Sequence, residues 1–446
     1  MVENYSVVLG VNVAGIEVSV FGVMLALVLS IFFIIRKMNP ALAMFTGVFA
    51  GAIVGGANLP QMVDIVILGG RQVVGANVRI LAGGFLVGAL IETGAAETIA
   101  RGIVKGLGEK RAIFAIALSA MIVTGAGVFI TVAMLIVSPI ALSVAYRANI
   151  SKFAAILAIS GGAKAGNVIS PNPNALAAAE SFGLPLSEVM LNGLIPGIVA
   201  LVVTVALCKM MQNKHFKVEA EDLDDSADAA DLPSFGKAIV APAVAIGMLM
   251  LNPIGDILGI GAINSANLPM DPFFVLPIGA VAGLLVLGKG RRITEFATKG
   301  VLRMAPIMLV VFGAGAIGGL ITVSVFPAMI EDALYRMGIP TAFLAPLSST
   351  IFASVTGSAT AGIIIGGESF GATILAAGVP ALAGAVMLHA GGGFLDAVPH
   401  SSGFLATQQA MKCTMAERMR VMPWEFAVGG AMTLTSVGMY LLGFWG

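Results

Sequence analysis

The stretch "GGAKAGNVISPNPN" (residues 161–174) separates two long apolar runs with glycines, prolines, asparagines and one lysine. Proline removes a backbone donor and clashes with the preceding helical turn, so the SPNPN core ends a helix rather than bending it. An unpaired backbone group is costly in hydrocarbon, so irregular backbone at membrane depth needs protein or a water-filled cavity around it. The stretch therefore predicts a broken transmembrane helix beside a polar site.

The composition of the chain indicates an integral membrane protein. Among 446 residues, 58% are hydrophobic and 11% are charged, and the mean hydropathy is +1.00, whereas soluble domains carry about 25% charged residues. Apolar runs near the roughly 20 residues that cross a bilayer recur along the chain, which predicts several spans. The 24 basic and 24 acidic side chains give no reason to expect a nucleic-acid partner. Cys208 and Cys413 form no metal or disulfide pattern.

The spans and their charges predict a topology. We place spans at 15–35, 41–58, 79–96, 112–147, 153–182, 186–208, 236–252, 271–288, 301–323, 342–376, 380–410 and 423–444. Two of them, 112–147 and 342–376, are too long for one pass and are predicted to be re-entrant hairpins. Threading the chain then puts 20 Lys and Arg residues, Arg418 among them, on one side and 3 on the other, with Lys164 inside the membrane. The positive-inside rule makes the richer side cytoplasmic and both termini extracytoplasmic, in a bacterial inner membrane.

The two halves of the chain resemble each other at an offset of 229 to 232 residues. The matching pairs are "GALI" at 88–91 with "GGLI" at 318–321, "VTGA" at 123–126 with "VTGS" at 355–358, the segment 161–177 with 390–406, and "SEVM" at 187–190 with "AERM" at 416–419. We predict a first repeat at 1–211, an acidic, solvated cytoplasmic linker at 212–235 and a second repeat of inverted topology at 236–446. Inverted repeats with broken helices are typical of secondary transporters, whose sites lie at the breaks.

The breaks and the hairpin tips supply the candidate substrate-binding residues. Two half-helices that meet at a break present free N–H groups and free carbonyls, and the asparagines of the first break add amides, a combination that suits a small anion with hydroxyl groups. The second break, "GGGFLDAVPHSSG" (391–403), lies opposite in the repeat. The candidates are Thr124, Gly125, Lys164, Asn167, Ser170, Asn172, Asn174, Thr356, Gly357, Ser358, Thr360, Ser401 and Ser402.

The sequence resembles the gluconate permease family, the gluconate:proton symporters, within the ion transporter superfamily of elevator-type carriers. The residues that carry the resemblance are "ETGAAETIARGIVKGLGEKRA" (92–112), "VAMLIVSPIALSVA" (132–145), "NVISPNPNALAAAESFG" (167–183), "GSATAGIII" (357–365) and "AGGGFLDAVPHSSGFLA" (390–406). The resemblance implies a scaffold domain built from the first spans of each repeat and a sliding transport domain that holds the hairpins and broken helices. It also implies a homodimer or another homo-oligomer.

Ionisable residues within spans are costly and often functional. Lys164 has two possible partners, the carboxylate of a substrate or a buried acid such as Asp396 or Glu368. The resemblance makes Asp396 a candidate carrier of a proton or a sodium ion, and capping a helix is the alternative for this residue. His400 and Glu368 complete the ion-coupling candidates, since histidine titrates near neutral pH and Glu368 lies in the second arm of the second hairpin.

These features predict an all-α polytopic symporter of a small organic acid, such as gluconate or a related sugar acid or hydroxycarboxylate. Proton coupling is expected, and a sodium-coupled carboxylate carrier or a cation/proton antiporter of the same superfamily is the alternative. The sequence contains no HExxH, GxSxG or GxxxxGK[ST] motif, so we expect neither an enzyme with catalytic residues nor a nucleotide-driven pump. No cofactor and no metal site are expected.

Overall fold

The structure is a computed structural model that describes residues 7–8, 11–12, 15–214, 216–223, 232–258 and 270–445. Its regular structure within these residues is helical, apart from the two-residue strands Val7–Val8 and Val11–Asn12. The first half contains α1 Val20–Ile35, α2 Pro40–Val54, α3 Leu59–Gln72, α4 Val74–Glu92, α5 Ala95–Leu107, α6 Ala112–Gly125, α7 Ile130–Arg147, α8 Lys152–Asn167, α9 Pro173–Ser181, α10 Leu186–Asn192 and α11 Leu194–Met211.

The second half has a matching series of helices. They are α12 Phe235–Ala238, α13 Val240–Leu249, α14 Leu251–Leu258, α15 Pro272–Val286, α16 Ile293–Thr322, α17 Phe326–Arg336, α18 Leu344–Thr356, α19 Ala359–Ala376, α20 Ala381–Gly392, α21 Ser402–Ala410 and α22 Met415–Leu441. In the described part of the chain, five helical stretches are long and apolar enough to cross a membrane. The prediction of an all-α membrane protein is confirmed.

Both predicted hairpins and both predicted broken helices are present. The overlong stretches fold as the helix pairs α6–α7 and α18–α19, and the two breaks separate α8 from α9 and α20 from α21. At the first break, the Asn172 side chain accepts hydrogen bonds from the backbone of Asn174 at 2.8 Å and Ala175 at 3.1 Å, and Pro173 is the first residue of α9. Asparagine at the N-cap followed by proline starts a new helix, so this sequence fixes the position of the break.

The helices form two groups by their packing, and we name the groups after the two domains that the resemblance implies. The scaffold group consists of α1–α4, α13, α15 and α16, and the transport group consists of α6–α11 and α18–α22. Within the scaffold group, glycines let α4 and α16 approach closely, because a Cβ on Gly300 would lie 1.9 Å from the carbonyl oxygen of Gly84. The two groups meet where α16 packs against α19 and α4 against α9. Arg79 of α4 bonds Glu180 of α9 at this junction.

Equivalent elements recur in the same order in both halves. α16 corresponds to α3 with α4, and each half continues with a short amphipathic helix, a hairpin, a broken helix and a final helix. The hydroxyl groups of Thr131 and Ser402 lie 3.5 Å apart, and Thr360 donates to the Asn174 side chain at 2.5 Å. Thr131 and Thr360 are 229 residues apart. Each contact therefore joins the hairpin of one half to the broken helix of the other, at positions that match within one residue.

The first part of the linker is packed on the transport group, which corrects the expectation of a solvated loop. The ammonium of Lys152, at the start of α8, lies 2.7 Å from a carboxylate oxygen of Asp222, and both side chains are buried. The rings of Phe153 and Phe216 pack edge to face with their centres 6.2 Å apart. Composition alone missed this packing because the apolar Phe216 and Val218 are few among the acidic residues. Residues 224–231 of the predicted linker lie outside the described residues.

Candidate functional site

A cavity lies where both hairpins and both broken helices of the transport group meet. Its volume is about 40 Å³, which holds a few water molecules, so the cavity must widen from this conformation before it can hold a six-carbon acid. Eight of the sixteen residues predicted from the sequence line this cavity: Lys164, Asn174, Gly357, Ser358, Thr360, Asp396, Ser401 and Ser402. The structure thus brings residues from both halves of the chain to one polar chamber.

Lys164 joins the two broken helices through an ion pair. It lies in the last turn of α8, and its ammonium donates to the carbonyl oxygen of Gly393 at 2.6 Å and to the carboxylate of Asp396. The Lys164 side chain is 2% exposed and that of Asp396 is 14% exposed. Removing one partner of a buried pair leaves the other charge uncompensated, which costs about 3–5 kcal/mol. Of the partners expected for Lys164, the structure shows the buried acid Asp396.

The three asparagines of the first break have different surroundings. Asn172 donates to both the carbonyl and the side-chain oxygen of Asn167 at 2.8 Å, and Asn174 donates to that same side-chain oxygen at 3.2 Å. Asn167 also contacts His389 at 3.4 Å between side-chain nitrogens. Only Asn174 reaches the cavity wall, where Thr360 donates to it. Asn167 and Asn172 therefore lie behind the cavity and hold the break together.

The residues predicted at the first hairpin tip, Thr124 and Gly125, also lie behind the cavity wall. The Ser170 hydroxyl donates to the carbonyl oxygen of Thr124 at 2.6 Å, while the Thr124 hydroxyl has no partner among the described residues. A Cβ on Gly125 would meet the Ile169 side chain at 3.8 Å, so this glycine faces the break. The residues of this tip that line the cavity are Phe129, Ile130 and Thr131.

The remaining candidates, Thr356, Glu368 and His400, lie in or against the second hairpin, outside the cavity lining. Thr356 donates to the carbonyl of Phe352 within its own helix at 2.7 Å. A ring nitrogen of His400 lies 3.0 Å from the carbonyl oxygen of Val355, so this histidine joins the second break to the second hairpin tip. Glu368 lies where the groups meet, with the Ser181 hydroxyl 3.4 Å from its carboxylate. The structure therefore separates Glu368 from Lys164 and Asp396.

Four helix N-termini point at the cavity. They are the first turns of α7, α9, α19 and α21, which contain Thr131, Asn174, Thr360 and Ser402 respectively. Side chains cap three of these helices, whereas α7 begins without a side-chain cap. Each N-terminus carries partial positive charge from the helix dipole, and uncapped N–H groups are ready donors. These termini therefore add partial positive charge to a cavity whose two basic and two acidic side chains balance each other.

Two charged cavity residues were missed from the sequence. Arg418 and Glu425 of α22 form a bidentate pair with N–O distances of 2.7 and 2.8 Å, and each side chain is 1% exposed. The last span was predicted to begin at 423, whereas α22 begins at Met415, so Arg418 lies within the helix and not in the segment before it. The sequence held the signal, since Thr414 and Glu417 form a capping box that marks the start of a helix.

Comparison with known proteins assigns the chain to a family. Residues 16–440 match the GntP family permeases. The chain belongs to the GntP permease family. An uncharacterized transporter of Haemophilus influenzae is 42% identical over 419 residues, which cover 94% of this chain and 97% of that protein. A gluconate permease of Pseudomonas aeruginosa is 24% identical over 348 residues, 74% of this chain and 76% of the relative.

The fold is also similar to that of a solved transporter. The crystal structure of the YdaH transporter from Alcanivorax borkumensis, described as having an unusual topology, superposes with a TM-score of 0.58 at 14% identity. The match covers 84% of this chain and 86% of that chain. At this identity the likeness concerns the fold alone. Membership of the GntP permease family makes the protein a multi-pass membrane transporter rather than an enzyme.

Proposed function

We propose that the protein is a secondary active transporter that carries a small organic acid, such as gluconate or a related sugar acid or hydroxycarboxylate, together with a proton. The observation that carries this proposal is the buried pair of Lys164 and Asp396 where both broken helices and both hairpins meet. A carboxylate in a desolvated site needs a cationic donor. The name of the Pseudomonas relative supports the class of substrate.

Charge balance gives a physical reason for coupling. In this conformation the ammonium of Lys164 donates to the carboxylate of Asp396. A substrate carboxylate therefore competes with Asp396 for the same ammonium. A proton on Asp396 removes that competition and leaves Lys164 to the substrate. When one anion and one proton bind together, the net charge of the site is unchanged, whereas the anion alone adds an uncompensated buried charge. The affinity for the acid therefore depends on the proton, which is the linkage that coupling requires.

The arrangement of the helices supports an elevator mechanism. Every cavity residue lies in the transport group, from Phe129 in the first hairpin to Glu425 in α22. Movement of that group against the scaffold group would carry the site between the membrane faces as one unit. At the surface between the groups, Gly318 of α16 faces Glu368 of α19, and a small residue there lets the two helices approach closely.

The membrane orientation and the assembly complete the proposal. The recurring order of elements and the matching Thr131 and Thr360 contacts support two repeats, and the surplus of positive charge on alternate loops supports their inverted topology. Burial of Arg418 removes only one of the 20 positive charges assigned to the cytoplasmic side. We place the protein in a bacterial inner membrane with both termini outside, as a homodimer or another homo-oligomer formed through the scaffold group.

Uptake into proteoliposomes tests the proposed function. With one proton per anion, a pH gradient of one unit, acidic outside, is expected to drive about tenfold accumulation of labelled gluconate or another sugar acid or hydroxy acid. Protein-free liposomes and a proton ionophore provide the controls. Accumulation driven by sodium alone would indicate a sodium-coupled carboxylate carrier, and cation exchange without acid uptake would indicate an antiporter. Either result would contradict proton symport.

A further inference from the structure

We propose that Arg418 and Glu425 form a second recognition pair, which binds hydroxyl groups on the chain of the substrate and disfavours a second carboxylate. This inference rests on the proposed function and assigns a specificity role to two residues of the same cavity. Both side chains line the cavity that also contains Lys164 and Asp396. The cavity thus has two ion pairs, one for the carboxylate end of the acid and one for the rest of its chain.

The hydrogen bonds of Arg418 leave donors for a ligand. Its Nε donates to the hydroxyl of Thr407 at 2.9 Å, and each terminal nitrogen donates to one oxygen of Glu425. Among the described residues, these bonds use three of the five N–H groups that a guanidinium carries. The carboxylate oxygens of Glu425 likewise keep acceptor capacity. A hydroxyl group both donates and accepts, so it can accept from a remaining N–H group of Arg418 or donate to an oxygen of Glu425.

The neighbours of the Arg418 guanidinium leave its terminal nitrogens as the part that a ligand can reach. The guanidinium of Arg418 lies 4.5 Å from the centre of the Phe404 ring, which covers one of its faces. Thr407 occupies the Nε side. Stability alone does not account for the pair, because replacing a buried ion pair by apolar residues of similar size is often neutral or stabilising. A role in binding a ligand accounts for a buried ion pair at this position, because the pair lines the cavity.

The same pair disfavours a dicarboxylate. Arg418 is already neutralised by a bidentate carboxylate, so a second substrate carboxylate meets the negative charge of Glu425 without a free counter-ion. An aliphatic acid fails for a different reason, since it leaves the buried donors and acceptors of the pair without partners. The expected order of affinity is therefore hydroxylated monocarboxylate first, with the dicarboxylate and the aliphatic acid weaker.

Binding to the purified full-length protein tests this assignment with three six-carbon acids: gluconate, hexanoate, which lacks the hydroxyl groups, and glucarate, which adds a carboxylate. We expect the wild-type protein to bind gluconate at least about 100-fold more tightly than hexanoate, because a site built for hydroxyl groups rejects analogues that lack them. The double variant Arg418→Met/Glu425→Leu is expected to reduce that ratio at least about tenfold, because it removes the hydrogen-bonding groups together.

A single variant tests the charge separately. Glu425→Gln leaves Arg418 without its counter-ion, so the affinity for glucarate relative to gluconate is expected to rise about tenfold. If Glu425→Gln does not fold, the gluconate-to-hexanoate ratio of the double variant still tests the pair, because the double variant introduces no unpaired charge. The control is Arg292→Met/Glu295→Leu, which replaces an exposed pair and is expected to leave all ratios unchanged.

The outcomes separate this inference from the function on which it rests. A wild-type protein that binds none of the three acids would contradict the proposed function, and the pair assignment with it. A wild-type protein that binds gluconate, with the same selectivity ratios in the pair variants, would overturn only the role of Arg418 and Glu425. A uniform loss of affinity for all three acids in the double variant would assign the pair to structure alone.

Discussion

Replacing Lys164 with methionine is expected to abolish the uptake of the organic acid, lowering its initial rate by at least about 100-fold. Methionine keeps much of the length of the lysine side chain but carries no charge. The variant therefore loses the cation that the substrate carboxylate needs, and it leaves Asp396 without its partner inside the protein. Uptake of labelled acid into proteoliposomes, at equal amounts of reconstituted protein, measures the effect.

A matched lysine separates this effect from a general loss of charge. Lys105 lies exposed on α5, away from the cavity, so Lys105→Met is expected to transport normally. Size-exclusion profiles show whether Lys164→Met still folds, and the double variant Lys164→Met/Asp396→Asn restores charge balance if the single variant does not. Normal transport by a folded Lys164→Met protein would remove this lysine from the site.

Replacing Asp396 with asparagine is expected to abolish accumulation driven by the pH gradient while the exchange of bound for free acid continues. The amide resembles the protonated carboxyl in shape and charge, so Lys164 stays available to the substrate in this variant. It cannot release a proton, so the acid no longer moves against its own gradient. Net uptake should therefore fall from about tenfold accumulation at one pH unit to simple equilibration.

Two assays on the same liposomes, accumulation under a pH gradient and counterflow, distinguish a loss of coupling from a loss of transport. Counterflow, in which external labelled acid exchanges with unlabelled acid inside, measures exchange without a proton gradient. Asp332→Asn is the control, because Asp332 forms an exposed ion pair with Arg336 on α17. If Asp396→Asn still accumulated the acid with the wild-type dependence on the pH gradient, the coupling group would have to be a different residue.

Much of the fold could be predicted from local sequence because its decisive features are local. Asn172 and Pro173 favour a helix start, since asparagine is a preferred N-cap and proline a preferred first helical residue, and Ser401 caps the helix after the second break. Stretches too long for one crossing indicated the hairpins in the same way. The helix α3 was missed because its Asp64 and Arg71 lower its apolar character.

The candidate site was less predictable because its contacts join residues far apart in the chain. Lys164 had two acids as possible internal partners, and only the packing of the two broken helices selects Asp396. The amides of Asn167 and Asn172 satisfy each other rather than face the cavity. Arg418 was left out of the last predicted span, which we started at 423, although the capping box at Thr414 indicated that this helix begins earlier.

The exchange of an internal carboxylate for a substrate carboxylate is the central claim, and the protons bound with the acid test it most directly. We expect the purified protein, in weakly buffered solution near neutral pH, to take up one proton for each acid molecule that binds. The acid displaces Asp396 from Lys164, and Asp396 then binds a proton, so the solution becomes more alkaline. Binding of the acid without any uptake of protons would contradict the account.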